Sequence, residues 1–298
     1  MITQHSGHDF VDLKYFVNFM NLYSIETGNL KLDGGAMFGV VPKVLWQEQY
    51  PADENNLCNW AMRCLLIEDG DRLILIDNGI GDKQDHNFLK HYHLNGNETL
   101  ESSLSVYGFN PADVTDMILT HLHFDHCGGS IKYNDDKTAY ELRFPNATYW
   151  VSRAQYEWAT DPNHRESASY LKENIYPIEE SGRLKLIEEE GEILPNISVR
   201  IFNGHTEGQV IPLIRYHGRT LAYMADLLPS ATHIPRPWIR AYDTRPLVTV
   251  EDKQRFYQEA VPGGYSLFFE HDIYNECCTL HQTEKGVRVK ETFKLPEI

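Results

Sequence analysis

The chain has 298 residues, 42% of them hydrophobic and 12% aromatic, with a formal net charge of -16 at pH 7. That length allows one large domain or two ordinary ones, with enough apolar material for a full core. The negative charge disfavours a nucleic-acid backbone or an anionic membrane as partner, and no apolar stretch approaches the ~20 residues that span a bilayer.

Cys58, Cys64, Cys127, Cys277 and Cys278 are odd in number and suggest no disulfide framework. Reduced thiols in a cytoplasmic protein are the simplest expectation. The N-terminus lacks a basic region followed by an apolar run, so no secretion signal is expected.

Phe16, Phe19 and Met20 suggest a short helical face or a flap. Leu22 to Leu32 reads as a strand, a turn at Gly28–Asn29 and a second short strand. LDGGAMFGVVPKVLW, residues 32–46, combines paired glycines with Met37, Phe38, Val40 and Val41. It reads either as a core-lining loop or as an apolar wall beside a site. Trp60–Ile67 and Arg72–Ile76 are strand candidates joined by an Asp69–Gly70 turn. The near-continuous apolar run of the second implies a sheet covered on both faces. It ends in Asp77. Residues 82–100 read as surface loop and helix, and His91 and His93 there are not expected to bind metal.

Met117–Thr120 is a strand running into HLHFDHCGG, residues 121–129. Four candidate ligands, His121, His123, Asp125 and His126, fall within six residues of that loop. Three imidazoles and a carboxylate suit a divalent ion such as zinc. Gly128 and Gly129 would let the chain turn where a side chain would crowd the metals. Cys127 is expected to pack behind the loop. Residues 147–151 form a strand, with Ser152 capping the next helix. Ser167–Ile175 reads as a helix and the acidic stretch 179–192 as solvated surface. Ile197–Phe202 runs into Gly204-His205-Thr206. Val210–Tyr216 and Thr220–Ala225 are paired strands, the second ending in Asp226. Residues 227–246 hold four prolines and Trp238, and read as an irregular roof over a cleft. Glu251–Glu259 is helical in pattern, with a break at Pro262-Gly263-Gly264. Tyr265–Phe269 is a buried strand ending in Glu270-His271-Asp272, and Gly286–Val289 is a last strand candidate. Asp77, His121, His205, Asp226 and His271 all follow apolar strand-like runs, as a sheet that gathers loop ligands along one edge would require.

HLHFDHCGG resembles the HxHxDH signature of the metallo-β-lactamase superfamily. GHT at 204–206, Asp226 after an apolar run and His271 near the end follow in that family's order, so the resemblance covers about residues 30–275. It implies an α/β fold, the four-layer αβ/βα metallo-β-lactamase sandwich, as a single domain over 1–298. Residues 1–46 would be an N-terminal extension and pocket wall. The resemblance further implies two divalent metal ions, zinc first, with manganese or iron compatible. His121, His123 and His205 would hold one; Asp125, His126 and His271 the other; Asp226 would bridge them. Asp77 would support the metal loop from behind, or serve only as a turn residue. A hydroxide between the ions would be the nucleophile, with Asp125 accepting a hydrogen bond from it.

Two departures matter. Many relatives read GHTxGH, whereas this chain reads GHTEGQ with Gln209 last, a change expected to touch packing and not the ligand set. Asp226 stands where several β-lactam hydrolases use a cysteine in the second site. The pattern looks closer to the lactonase, phosphotriesterase-like and glyoxalase II branches. The flavin-linked diiron branch usually has glutamate in place of His123. The expected activity is hydrolysis of a small lactone or ester, with Met37, Phe38 and Trp238 lining the pocket. A phosphotriesterase, a glyoxalase II-like thioesterase, a nuclease of the same superfamily and a non-catalytic metal-binding protein are the alternatives. A nucleic-acid or membrane partner is not expected, and a homodimer is compatible with the sequence.

Overall fold

The computed structural model describes residues 20–298. Phe16 and Phe19, and with them most of the expected flap, lie outside the described residues. Strands β1 (Asn21–Asp33) and β2 (Leu57–Asp69) pair antiparallel along their whole length, from Asn21 opposite Glu68 to Asp33 opposite Leu57. The turn expected at Gly28–Asn29 is a bulge inside one strand, where Gly28 takes φ +93°. The unbroken partner strand carries the ladder past the glycine. Residues 21–33 are thus an edge strand of the sheet. Two short helices, α1 (Gly34–Phe38) and α2 (Lys43–Trp46), replace the expected loop. Asp33 caps the first by accepting from Ala36 N at 2.8 Å.

β3 (Arg72–Ile76) returns from the hairpin, and α3 (His86–Leu89) and α4 (Leu100–Val106) follow. β4 (Asp116–Ile118) leads to the single turn α5 (Phe124–Cys127). β5 (Ile131–Tyr133) and β6 (Tyr140–Leu142) make a separate small hairpin. β7 (Thr148–Ser152) feeds α6 (Arg153–Thr160), which Ser152 caps through Gln155 N. The helix expected at 167–175 starts only at Lys172, as α7 (Lys172–Glu180). Tyr170 and Leu171 stay extended, and Tyr170 thereby reaches the Thr206 hydroxyl at 2.6 Å. The acidic stretch carries β8 (Leu184–Ile187) and the start of β9 (Gly191–Leu194). β10 (Ile197–Phe202), β11 (Gln209–Tyr216) and β12 (Arg219–Tyr223) form a meander. α8 (Pro246–Gly263) passes Pro262 and is closed by Gly264 in the left-handed region. β13 (Ser266–Phe268), β14 (Cys277–Thr283) and β15 (Gly286–Phe293) complete the chain.

The strands form sheets ordered β1-β2-β3-β4-β7-β8 and β15-β14-β13-β12-β11-β10-β9. Alternation decides what each face meets. Leu65, Ile67, Ile74 and Ile76 of the first sheet pack against Val199, Ile211 and Leu221 of the second. Leu66, Leu75 and Met117 point the other way, into a core shared with Leu104, Ala159 and Ile178 of α4, α6 and α7. α8 covers the second sheet with Phe256 and Tyr257. The result is the four-layer α/β sandwich. The sheets are stitched at one rim, where Ala61 N and Arg63 N donate to His271 O and Glu270 O at 3.0 Å each and Val210 N donates to Thr120 O at 2.9 Å. Among the described residues no helix is long and apolar enough to cross a membrane. All five cysteines are buried and unbridged.

Candidate metal centre

The seven residues expected as ligands converge on that rim. His121, His123, His205 and Asp226 form one group, and Asp125, His126 and His271 a second beside it. Each arrives at the end of a strand: β4 for the histidine loop, β10 for His205, β12 for Asp226 and β13 for His271. Gly128 and Gly129 act differently from expectation. A Cβ on either would collide with the Ile80 or Asn78 carbonyl, so they let the loop lie against residues 78–80 and do not face the ligands. Cys127 packs behind the loop, its thiol 3.4 Å from Leu122 O. His91 and His93 are exposed and belong to neither group.

In the first group His123 Nδ1 lies 3.0 Å from His121 Nε2 and 3.2 Å from His205 Nε2. In the second, His126 Nε2 and His271 Nε2 are 3.2 Å apart, with Asp125 Oδ2 at 3.8 and 4.0 Å from them. Asp226 divides its oxygens: Oδ2 is 2.9 Å from His205 Nε2, and Oδ1 is 3.2 Å from His271 Nε2.

The outer nitrogens explain what the inner ones can do. His121 Nδ1–H donates to Thr120 Oγ1 at 3.1 Å, and that hydroxyl donates to Asp77 Oδ2 at 2.6 Å. His123 Nε2–H donates to Glu166 Oε1 at 3.2 Å, and His205 Nδ1–H to Asp243 Oδ1 at 3.1 Å. His126 Nδ1–H faces Asp77 Oδ2 at 3.1 Å, and His271 Nδ1–H donates to Ala61 O at 2.8 Å. With an acceptor at each of the five outer positions, the neutral form of each ring turns a bare nitrogen inward. Bare nitrogens that close repel unless a cation lies between them. Asp226 Oδ1, buried and without a hydrogen-bond partner among the described residues, faces the same space. The donor set therefore fits two divalent ions, four donors around the first and four around the second, with Asp226 shared.

Burial and neighbouring imidazoles push His121 well below its ordinary range, and burial likewise lowers His123. Burial alone would raise Asp226, but Arg240 and His205 outweigh it and hold the carboxyl well down. Glu166 is lowered to about 2 against the pull of burial, because His123 and Trp158 donate to it. The second group differs: against the pull of burial, Glu270, Asp125 and Asp226 raise His126 and Asp226 raises His271, so a cation there would displace protons that these imidazoles otherwise hold.

Glu166, Asp243, Glu270 and Arg240 are absent from the sequence-based expectation. Glu166 and Asp243 sit in irregular segments with no strand before them. Glu270 carried one usable signal, its place beside His271 at a strand end. Gln209 is buried, and its amide finds no partner among the described residues.

A cleft of about 270 Å³ opens over the ligands. Leu30, Leu32, Met37 and Phe124 supply apolar walls, with Tyr92 and Tyr242 at its sides. Phe38 does not line it: the ring is fully buried, stacked 4.9 Å from Trp46 and 4.8 Å from His233, and so backs Met37. Trp238 is also outside the lining, edge-on to Phe38 at 6.3 Å. Both aromatic rings are drawn into the apolar cluster under α1. The 227–246 segment contributes Arg240, Ala241 and Tyr242 to the cleft instead. Val40 points to solvent, 90% exposed.

Comparison with known proteins agrees with this geometry. The Metallo-beta-lactamase superfamily model matches residues 63–264. An N-acyl homoserine lactonase of Bacillus cereus is 31% identical over 169 residues, 53% of this chain and 60% of that protein. One from Bacillus sp is 28% identical over 203 residues, 65% of this chain and 69% of that protein. The matched region thus spans about three fifths to two thirds of those relatives. A probable metal-dependent hydrolase from Staphylococcus aureus superposes with a TM-score of 0.84 at 29% identity, covering 93% of this chain and 97% of that one. The dizinc quorum-quenching lactonase AidC shares the fold, with a TM-score of 0.77 at 21% identity over 92% of this chain and 95% of its own. On the family match and the converged ligand loop, this chain belongs to the metallo-beta-lactamase superfamily.

Proposed function

We propose that the chain is a metal-dependent hydrolase that opens neutral, partly apolar lactones, with simple esters as secondary substrates. The observation that carries the reading is Asp226, whose two oxygens are shared between two imidazole groups at the floor of an apolar-walled cleft. Bound divalent ions would lower the pKa of water and polarise a carbonyl; three imidazoles and a carboxylate in the first group suit zinc. His121, His123 and His205 would hold one ion, Asp125, His126 and His271 the other, and Asp226 both.

The chain's own side chains do the rest. Asp125 is the least buried of the second group's ligands and faces the cleft. It is placed to orient the attacking water and take its proton. Leu30, Leu32, Met37 and Phe124 hold an acyl chain by apolar contact alone, which discriminates only weakly between chain lengths. The acidic surface repels polyanions at long range. Unbridged buried cysteines support a reducing, cytoplasmic setting. The test is kcat/KM on metal-loaded protein for a matched set of acyl lactones, aryl esters, phosphotriesters and short RNA. Lactones should lead; RNA cleavage faster than every lactone and ester would overturn the reading.

A further inference from the structure

His126 makes a contact that ligand geometry alone does not require. Its Nδ1 faces two carboxylates, Asp77 Oδ2 at 3.1 Å and Glu270 Oε2 at 3.0 Å. One N–H serves one acceptor well, and here it is aligned on Asp77. Asp77 is further satisfied by Thr120 N and Thr120 Oγ1. Glu270 is left over. Its side chain is fully buried, and among the described residues neither oxygen has a hydrogen-bond partner.

The neighbouring donors are committed elsewhere. Arg63 donates to Glu26 and to the carbonyls of Phe269 and Asp272, and Tyr223 donates to Arg63 O. Burial drives a carboxyl in that position toward its neutral form, and it stays ionised only beside a compensating charge. A divalent cation on His126 Nε2, one imidazole ring away, would supply it. Among the described residues the first group has carboxylates behind it but none left without a hydrogen-bond partner. His121, His123 and His205 each face one outer acceptor, and the cationic Arg240 lies 2.7 Å from Asp226 Oδ2 on that side. The two ligand groups therefore differ in surrounding charge, with the excess negative charge behind the second.

We propose that Glu270 is a positioning residue for the second metal: through the His126 ring it strengthens the Asp125–His126–His271 group for a divalent cation without touching the ion. This rests on the metal-centre reading above. Outer carboxylates behind a ligating histidine hold the ring and raise its basicity, and their loss typically weakens metal binding about 10–100-fold.

The experiment is a zinc titration of metal-stripped, full-length protein against a chromophoric chelator, for wild type, Glu270→Gln and Glu270→Asp. Glu270→Gln keeps the shape and removes the charge. The second equivalent should bind about 10–100-fold more weakly while the first is unchanged. Cadmium NMR at one equivalent should then show a single resonance from the nitrogen-rich group. Glu270→Asp, which keeps the charge, should recover most of the loss, and it carries the test if the glutamine variant does not fold. A second-site affinity unchanged in Glu270→Gln would overturn the proposal. So would equal weakening of both sites in a folded variant, or a Glu270→Asp protein as weak as Glu270→Gln. Wild-type protein that takes up no metal would instead sink the metal-centre reading itself.

Discussion

Arg240 Nη1 lies 2.7 Å from Asp226 Oδ2, and both side chains are almost wholly buried. The same oxygen is 2.9 Å from His205 Nε2. A guanidinium thus neutralises the shared carboxylate from the roof side, while Asp243 binds both Arg240 and His205.

This pair predicts a metal-dependent stability effect. Removing one partner of a buried ion pair costs about 3–5 kcal/mol, because the other charge is stranded. Arg240→Met should therefore destabilise metal-free protein by an amount of that order. Zinc should restore much of the loss by neutralising Asp226 itself. Urea midpoints with and without zinc check this; an equal loss under both conditions would contradict the charge argument.

Metal content is the second expectation. Elemental analysis of reconstituted protein should give near two equivalents per chain. Asp226→Ala should lose the second ion and abolish lactone turnover, while far-UV circular dichroism stays native. Cys127→Ala, whose thiol makes one weak contact behind the loop, should retain both ions.

The apolar wall separates two neighbouring residues. Met37→Ala should lower kcat/KM for long-acyl lactones roughly tenfold more than for short ones, since only the long chain uses that wall. Phe38→Ala should act on stability instead. Its ring is fully buried in a stack, and emptying such a site costs about 3–5 kcal/mol. Kinetics across acyl lengths and a denaturation curve distinguish the two.

Lys83 gives a pH signature. Its ammonium is buried, donates to Gly128 O, and is pushed down by burial to about 8. Below that pH the group is charged in folded and unfolded chains alike, and the burial cost is constant. Between about 8 and the ordinary lysine value near 10.4 the unfolded chain binds more protons, so stability rises with pH. The gain is of order 3 kcal/mol across that window. Wild type should therefore gain stability from pH 8 to pH 10 relative to Lys83→Met, measured as denaturant midpoints. Parallel profiles would refute it.

The inner ligands were legible because local chain geometry carries them. An extended loop after a strand puts His121 and His123 two residues apart on one side, and the following single turn swings Asp125 and His126 toward the second group. His205, Asp226 and His271 were legible for a similar reason: apolar runs end abruptly in a polar ligand wherever a buried strand reaches the rim.

The outer layer and the pocket were decided only in three dimensions. Glu166 comes from the segment before α7, Asp243 from the roof and Glu270 from the end of β13, and no periodicity links them to the histidines they face. Tyr92 reaches the cleft from a region whose composition reads as plain surface. Phe38 and Trp238 look like pocket residues in sequence because hydrophobicity does not distinguish a cleft wall from the cluster behind it. Periodic local interactions place ligands at strand ends. Which nitrogen carries a proton, which carboxylate stands behind it and which ring meets solvent depend on contacts between residues far apart in the chain, and those are set by how the two sheets close against each other.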